Sequence, residues 1–190
     1  MSAASPLLAT AESLIALGDA PCEVIHGVVV RKAEPSAEHG DAQAGLAATL
    51  RPPFHRGSGG PVGPGGWWIL SEVDVELARH EVVRPDLCGF RRERVTERPT
   101  GRPIRARPDW VCEILSASNA KTDLVDKLEV YRTAEVPHYW IVDPATETLT
   151  VHRWTRDGYL IALRVGREAT VHAEPFDAIE IRVGTLFGDD

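Results

Sequence analysis

The stretch Pro108-Asp-Trp-Val-Cys-Glu-Ile-Leu-Ser116 decides the fold of this chain. It is nearly continuous in apolar residues, which predicts a strand over residues 109–115 that lies in the centre of a sheet. Side chains alternate between the two faces of a strand. One face then carries Asp109, Val111, Glu113 and Leu115. The other face carries Trp110, Cys112 and Ile114. A carboxylate at Glu113 is costly in these surroundings unless it is paired with a cation or bound to a metal.

A helix is predicted to follow this strand, from about Lys121 to Ala134, with Ser118 or Asn119 as its N-cap. Its apolar stripe recurs at positions i, i+4 and i+7: Leu124, Leu128 and Tyr131. Lys127 lies at the border of that stripe, where its ammonium can reach over the sheet towards Glu113. A purely structural Glu113–Lys127 ion pair is the alternative interpretation.

A second carboxylate precedes the strand, in Arg84-Pro85-Asp86-Leu87. Carboxylates that converge from neighbouring strands are what a hydrolytic Mg²⁺ site needs, because Mg²⁺ takes oxygen ligands and keeps several waters. One of those waters can attack a phosphodiester while the metal and a lysine neutralise the developing charge. We expect Asp86 and Glu113 on adjacent strands, with Lys127 reaching the same cleft. A turn role for Asp86 is the alternative, and Asp109 would then be the candidate acid.

The other elements are predicted from local patterns. They are a helix at 10–18, a strand or tight hairpin at 22–31, a helix from 36 to about 50, a Gly/Pro loop at 55–66, strands at 67–78 and 81–90 forming a hairpin that turns near Arg79-His80, and strands at 137–142, 149–154, 159–165 and 179–183 that complete the sheet. Strands, one helix and further strands indicate the α/β class in its mixed α+β form, a central mixed sheet flanked by helices. A length of 190 residues predicts one domain over residues 1–190.

Composition narrows the classes of function. A net charge of −7 excludes a broad basic surface but leaves room for a local basic cleft. One arginine cluster is equally compatible with a solvated loop and a phosphate-contacting arm: Arg91, Arg92, Arg94, Arg98, Arg102, Arg105 and Arg107. No apolar run is long enough to span a bilayer, and no secretion signal is visible. Three scattered cysteines without a CxxC pair fit core positions in a reducing cytoplasm, so a cytoplasmic protein without membrane association is expected.

The chain resembles the Uma-type restriction endonuclease family, which belongs to the PD-(D/E)xK nuclease superfamily. The resemblance covers nearly the whole chain and is carried by these segments: Glu23-Val-Ile-His-Gly27, Pro35-Ser-Ala-Glu-His39, Arg84-Pro-Asp-Leu87, Pro108 to Ser118, Asp123, Lys127-Leu-Glu-Val-Tyr131 and Val136 to Pro144. It implies a restriction-endonuclease-like fold with a hydrolytic site that uses Mg²⁺ or Mn²⁺.

The resemblance also implies roles for single residues. Asp86 matches the first acidic residue of the family and Glu113 the second, and both would hold the metal. The usual lysine of the superfamily lies two residues after the second acid, where this chain has Leu115. The family pattern places a lysine on the following helix, which Lys127 matches; it would orient the water or stabilise the phosphate. The supporting residues implied are Glu23, His39, Asp123 and Tyr131.

The function expected from these residues is metal-dependent hydrolysis of DNA by an endonuclease. The alternative is a catalytically inactive nucleic-acid or protein-binding module on the same fold, which Leu115 and the acidic net charge favour. A small-molecule hydrolase has no nucleophile elbow or Ser/His/Asp pattern to support it. DNA is the expected partner, and a homodimer is expected by analogy with endonucleases that pair two sites across a dimer axis.

Overall fold

The structure is a computed structural model that describes residues 7–59, 63–116 and 122–189. Its helices are α1 (Ala11–Ala16), α2 (Ala37–Phe54) and α3 (Lys127–Thr133), with a π-helical turn at Thr122–Asp126 and a 3₁₀ helix at Val183–Phe187. Its strands are β1 (Cys22–Ile25), β2 (Val28–Arg31), β3 (Trp67–Ser71), β4 (Val75–Ala78), β5 (Glu81–Val83), β6 (Leu87–Arg91), β7 (Trp110–Ile114), β8 (His138–Asp143), β9 (Thr148–Thr155), β10 (Gly158–Gly166), β11 (Thr170–Val171) and β12 (Ile181–Arg182). The predicted cap residues Ser118 and Asn119, and Lys121, lie outside the described residues.

A six-stranded mixed sheet forms the centre of the fold, in the order β10-β9-β8-β7-β6-β3. Strand β7 pairs with β8 in parallel and with β6 in antiparallel orientation, and all five of its residues are buried. The prediction of a central strand is therefore confirmed, and the strand is buried along its whole length. The predicted division of its side chains also holds, because Trp110, Cys112 and Ile114 pack in one core cluster and Val111 in another.

Helix α2 covers one face of this sheet. Ser36 caps it by accepting a hydrogen bond from the His39 backbone N–H at 3.2 Å. The helix extends one turn beyond its predicted end at residue 50, because Leu50 and Phe54 are both buried in the core. The first turns of α2 run past the end of the sheet where β6 begins, which brings His39 and Gln43 close to Asp86.

A smaller sheet, in the order β2-β1-β5-β4, packs with α3 on the opposite face. Strands β1 and β2 form the tight hairpin that the sequence predicts. Both of its turn residues are left-handed, His26 at φ 52° and Gly27 at φ 73°, which matches the twist that a two-residue hairpin needs. Because β1 also pairs with β5, this hairpin carries Glu23 and Lys32 to the strand that leads into Asp86.

The predicted two-strand hairpin over residues 67–78 and 81–90 is wrong in its extent. Each run divides into two strands: β4 and β5 pair in the small sheet with the turn at Arg79-His80, whereas β3 and β6 pair in the large sheet. The chain crosses between the sheets at the polar positions around Asp74 and Arg84, which form a partly buried ion pair at 2.6 Å.

Two further predictions are corrected. The 179–183 segment does not complete the large sheet, since β12 pairs only with β11 in a separate two-stranded sheet. The predicted apolar stripe of the helix is also only partly right: Tyr131 is buried and Leu128 packs against the core, but Leu124 is 44% exposed, whereas Asp123 and Lys127 are buried. The cause is the π-helical turn over Thr122–Asp126, because its i→i+5 hydrogen bonds add a residue to one turn and rotate the later side chains around the axis.

Two further observations concern membrane-spanning helices and the burial of the cysteines. No helix among the described residues has the length and apolar character required to cross a membrane. Cys88 and Cys112 are fully buried, as predicted for core residues, and burial raises the pKa of both thiols. Cys22 is only half-buried.

Candidate active site

Asp86 lies immediately before β6 and is 1% exposed. Its Oδ2 accepts a hydrogen bond from the Ile114 backbone N–H of the neighbouring strand at 2.6 Å, and it lies 3.2 Å from His39 Nε2. Its Oδ1 lies 2.7 Å from Lys32 Nζ. Burial alone would raise the pKa of Asp86, but the His39 hydrogen bond and the Lys32 charge outweigh it and hold the pKa below its usual value. Asp86 is therefore an ionised, fixed carboxylate.

Glu113 lies on β7 and is also 1% exposed. Its Oε1 accepts a hydrogen bond from the Tyr131 hydroxyl at 2.5 Å and lies 3.1 Å from Lys127 Nζ. Here burial prevails: it raises the pKa of Glu113 well above the usual value against the opposing charge of Lys127, and nearby Asp123 and Asp86 raise it further. The two acids thus have pKa values displaced in opposite directions.

Lys127 is enclosed by carboxylates, not placed at the border of the helix as predicted. It is 1% exposed, and its Nζ lies 3.0 Å from Glu23 Oε1, 3.1 Å from Glu113 Oε1 and 3.2 Å from Asp123 Oδ1. Burial would lower the pKa of Lys127, but these carboxylates raise it well above its usual value, so the ammonium stays charged. Its position fixes three acidic side chains from three separate elements.

The structure therefore brings together the residues that the sequence singles out. Asp86, Glu113, Asp123 and His39 line one cavity of about 220 Å³. Lys127, Tyr131 and Glu23 lie behind Glu113, and Glu23 also accepts a hydrogen bond from the Arg84 backbone N–H at 2.6 Å. Asp109, the alternative acid, is instead bound to Arg94 at 2.8 Å and to the Arg91 backbone N–H at 2.7 Å.

Three residues of the cavity were missed by the sequence analysis. Lys32 contacts Asp86 and also Glu72, whose two carboxylate oxygens lie 2.8 and 2.9 Å from its Nζ. Gln43 donates hydrogen bonds to the Asp86 carbonyl oxygen at 2.9 Å and to Glu72 at 3.2 Å. No local pattern in the sequence marks these side chains.

The donor set determines which metal ions suit the cavity. No three His, Cys, Asp or Glu side chains within residues 7–59, 63–116 and 122–189 are arranged to hold a metal ion by themselves. Mg²⁺ does not need such a cage, because it binds through one or two carboxylates and keeps its remaining ligands as water or substrate phosphate. Asp86 and Glu113 supply two carboxylates in one acidic cavity, which fits a hydrated hard cation and does not fit a structural zinc.

The arginine cluster separates into two groups. Four of its members form ion pairs with acidic side chains: Arg94 with Asp109, Arg102 with Asp74 and Asp19, Arg105 with Glu76, and Arg107 with Glu135. Arg91, Arg92 and Arg98 have no ion-pair partner among the residues that the structure describes. Arg91 lies over the ring of Trp67, and Arg92 lies 3.4 Å from the ring centre of Trp68.

The family model Uma2, described as "Putative restriction endonuclease", matches residues 12–184. The chain belongs to the Uma2 family. The match covers most of the chain, including every residue of the cavity, so the resemblance noted in the sequence is confirmed. No curated protein matches the chain.

A solved structure shares the fold of this Uma2-family protein. It is entitled "Crystal structure of a putative nuclease belonging to DUF820 from Anabaena variabilis ATCC 29413 at 1.96 A resolution". The superposition has a TM-score of 0.70 and covers 94% of this chain and 97% of that chain, at 19% sequence identity. The predicted nuclease-like α/β fold with a large mixed sheet is therefore confirmed.

Proposed function

We propose that this Uma2-family protein is a metal-dependent DNA endonuclease. The observation that carries the proposal is that Asp86, immediately before β6, and Glu113, on the neighbouring strand β7, line the same cavity. Family membership supports nuclease chemistry, and the acidic donor set supports Mg²⁺ or Mn²⁺ as the cofactor.

In this proposal each side chain of the site has a chemical task. Asp86 and Glu113 would hold the divalent cation, which when bound would supply an activated water and offset charge on the phosphate. Lys127 and Tyr131 position Glu113 through Oε1. His39 holds Asp86 through Nε2, and its buried Nδ1 has no hydrogen-bond partner in the described part of the chain. Asp123 and Glu23 hold Lys127 in place.

Metal binding tests this proposal directly. Replacing Asp86 with asparagine is expected to weaken Mn²⁺ binding by at least roughly tenfold, because a hard cation depends on anionic oxygen ligands. Titration calorimetry on the DNA-free protein measures that affinity, and nicking of supercoiled plasmid with and without Mg²⁺ or Mn²⁺ measures the activity. The matched control is Asp109→Asn, which also removes a buried, ion-paired carboxylate but lies outside the cavity. Equal Mn²⁺ affinity for wild type and Asp86→Asn would reject the site.

We propose that DNA phosphates contact the edge of the large sheet at Arg91, Arg92 and Arg98. These arginines lie at the far end of β6 or just beyond it, so roughly 17 Å of strand separates Arg91 from Asp86. His55 lies beside them: its ring contacts Trp68 edge-on at 5.9 Å. Burial and the charges of nearby Arg51 and Arg92 lower its pKa. These arginines have no ion-pair partner among the described residues and lie together at one end of β6. In a chain with net charge −7, such a local group of cations suits contact with a polyanion.

Salt dependence distinguishes such phosphate contacts from structural arginines. Replacing both Arg92 and Arg98 with glutamine is expected to reduce the slope of log K against log salt concentration for duplex DNA by roughly 0.9 per lost contact. Fluorescence anisotropy in EDTA measures the slope without cleavage. The control Arg105→Gln removes an arginine that is already paired with Glu76 at 2.8 Å and leaves the slope unchanged. If the double variant keeps the wild-type slope, DNA binds elsewhere.

We further propose that the protein is a homodimer and is located in the cytoplasm. A homodimer would allow cleavage of both strands, since a two-fold axis presents two equivalent sites to a duplex; sedimentation of the protein with and without duplex DNA measures this. A cytoplasmic location fits a DNA substrate and three unpaired cysteines.

The second candidate function is that of a catalytically inactive binding module. The observation in its favour is that Lys32 and Lys127 are both already paired with carboxylates. A wild-type protein that binds DNA but cuts none with either metal would favour the module.

A further inference from the structure

Lys32 occupies an unusual position for a lysine that follows an exposed hairpin. Its side chain is 9% exposed, and its Nζ contacts four oxygen atoms. These are Asp86 Oδ1 at 2.7 Å, Glu72 Oε2 at 2.8 Å, Glu72 Oε1 at 2.9 Å and the Arg84 carbonyl oxygen at 3.0 Å. Three of the four oxygens belong to carboxylates. The ammonium therefore lies in a set of donors that would also suit a hard metal cation.

Within the described part of the chain, Lys32 is the lysine that lines the cavity. Lys127 is enclosed behind Glu113, and its ammonium is surrounded by three carboxylates. Leu115 occupies the usual lysine position of the superfamily and carries no charge. A phosphate that enters the cavity therefore meets the Lys32 ammonium and not that of Lys127.

A divalent cation and the Lys32 ammonium compete for the same oxygen. If both bound Asp86 Oδ1, a doubly charged metal and a singly charged ammonium would lie within a few ångströms of each other. Like charges at that distance repel strongly in a partly buried site. Lysine has a flexible four-carbon stem, so its ammonium can move without displacing the backbone. Glu72, whose side chain is 42% exposed, offers a second anchor further from the buried carboxylates.

We propose that Lys32 is the phosphate-contacting lysine of this site and that it competes with the divalent cation for Asp86. In the metal-free protein Lys32 neutralises Asp86 and Glu72. When the metal binds, Lys32 gives up Asp86, stays close to Glu72 and presents its charge to the scissile phosphate. This inference rests on the proposed endonuclease function. It assigns to Lys32 the phosphate-contacting role that the sequence analysis expected of Lys127, which is enclosed by carboxylates.

The competition predicts two effects of opposite sign in one variant. Lys32→Met is expected to bind Mn²⁺ roughly tenfold more tightly than wild type, because the competing cation is gone. The same variant is expected to cut plasmid DNA roughly 10²-fold more slowly, because a charge that stabilises the transition state is lost. Calorimetry without DNA gives the first value, and plasmid nicking gives the second. Lys32→Gln is measured in parallel, since glutamine retains hydrogen bonds to Glu72 and Arg84 but has no charge.

The matched control is Arg31→Met. It removes one positive charge from the neighbouring position, where Arg31 pairs with Glu34 on the exposed surface at 3.5 Å. Its Mn²⁺ affinity and cleavage rate are expected to equal those of wild type, which separates local competition from a general change in charge.

The outcomes distinguish failure of this inference from failure of the proposed function. If wild type binds Mn²⁺ and cuts DNA but the Lys32 variants bind Mn²⁺ no more tightly, the competition is overturned while the endonuclease stands. If they bind Mn²⁺ more tightly and cut as fast as wild type, the phosphate role is overturned. If neither variant folds, Lys32 is structural and the inference is rejected. A wild type that binds no Mn²⁺ rejects both this inference and the proposed function.

Discussion

Replacing Glu113 with glutamine is expected to lower metal-dependent nicking of supercoiled plasmid by at least roughly 10²–10³-fold. Glutamine has nearly the same shape and can still accept the Tyr131 hydrogen bond, so the variant loses the charge and little of the packing. The charge is what a hard cation requires from its ligand.

The control for this variant is Asp109→Asn, at the position that precedes the same strand. Asp109 is buried and pairs with Arg94, but it lies outside the cavity, so its loss is expected to reduce stability and to leave the cleavage rate per folded molecule unchanged. Far-UV circular dichroism and thermal melting show that each preparation is folded. A Glu113→Gln protein that nicks at the wild-type rate would contradict the assignment of Glu113 as a metal ligand.

The raised pKa of Glu113 predicts how metal binding and DNA cleavage depend on pH. Burial favours the neutral carboxylic acid, so a proton must leave Glu113 when it binds a cation. Mn²⁺ affinity and cleavage of the wild type are therefore expected to rise as pH increases, until the acid is ionised in the metal-free protein. In Glu113→Gln the part of this dependence that comes from Glu113 is expected to be lost. Calorimetry in two buffers of different ionisation enthalpy measures the proton released on binding.

Replacing Lys127 with methionine is expected to lower the free energy of unfolding at pH 8 by ~3–5 kcal/mol. Methionine fills a similar volume, so the main loss is the charge. Without it, the carboxylates of Glu23, Glu113 and Asp123 remain buried without their common cation. Urea denaturation followed by tryptophan fluorescence measures this difference. Arg105→Met, which breaks an exposed ion pair with Glu76, is the control and is expected to cost less than ~1 kcal/mol.

The loss of stability caused by Lys127→Met should increase with pH. The pKa values of Glu113 and Asp123 are raised, primarily by burial, so the folded protein binds their protons more tightly than the unfolded chain does. Such groups contribute stability below their unfolded pKa and lose it as pH rises towards their folded pKa. Removing Lys127 raises both values further. The stability difference between wild type and Lys127→Met should therefore be smaller at pH 5 than at pH 8, and a difference that grows on acidification would contradict the network.

The two lysines of the site then differ in what their loss does. Lys127→Met removes a cation that fixes Glu113 from behind, so it should reduce stability, metal binding and cleavage together. The Lys32 variants should instead separate metal binding from cleavage, since one increases while the other decreases. This contrast also bears on the choice between an enzyme and an inactive binding module, because a module has no cleavage rate to lose.

Local patterns in the sequence were enough to predict the central strand and to single out Asp86 and Glu113. The nearly continuous apolar run from Trp110 to Ile114 predicted a central strand, and the period of two placed Glu113 on the opposite side from Trp110. Because burying an unpaired carboxylate is costly, Glu113 had to have a partner, and Asp86 stood out by its place at a strand end. These inferences depend on neighbours close in the chain, which the printed sequence shows directly.

Which groups meet those acids depends on contacts between distant parts of the chain. Lys32 reaches Glu72 and Asp86 across 40 and 54 residues of chain, and Glu23 and Lys127 come from opposite sides of β7 in sequence. The division of strands between two sheets and the π-helical turn that buries Lys127 also depend on packing and not on local pattern. The physical reason is that a buried charge is stabilised by whichever opposite charge lies within a few ångströms, and chain separation carries no information about that distance.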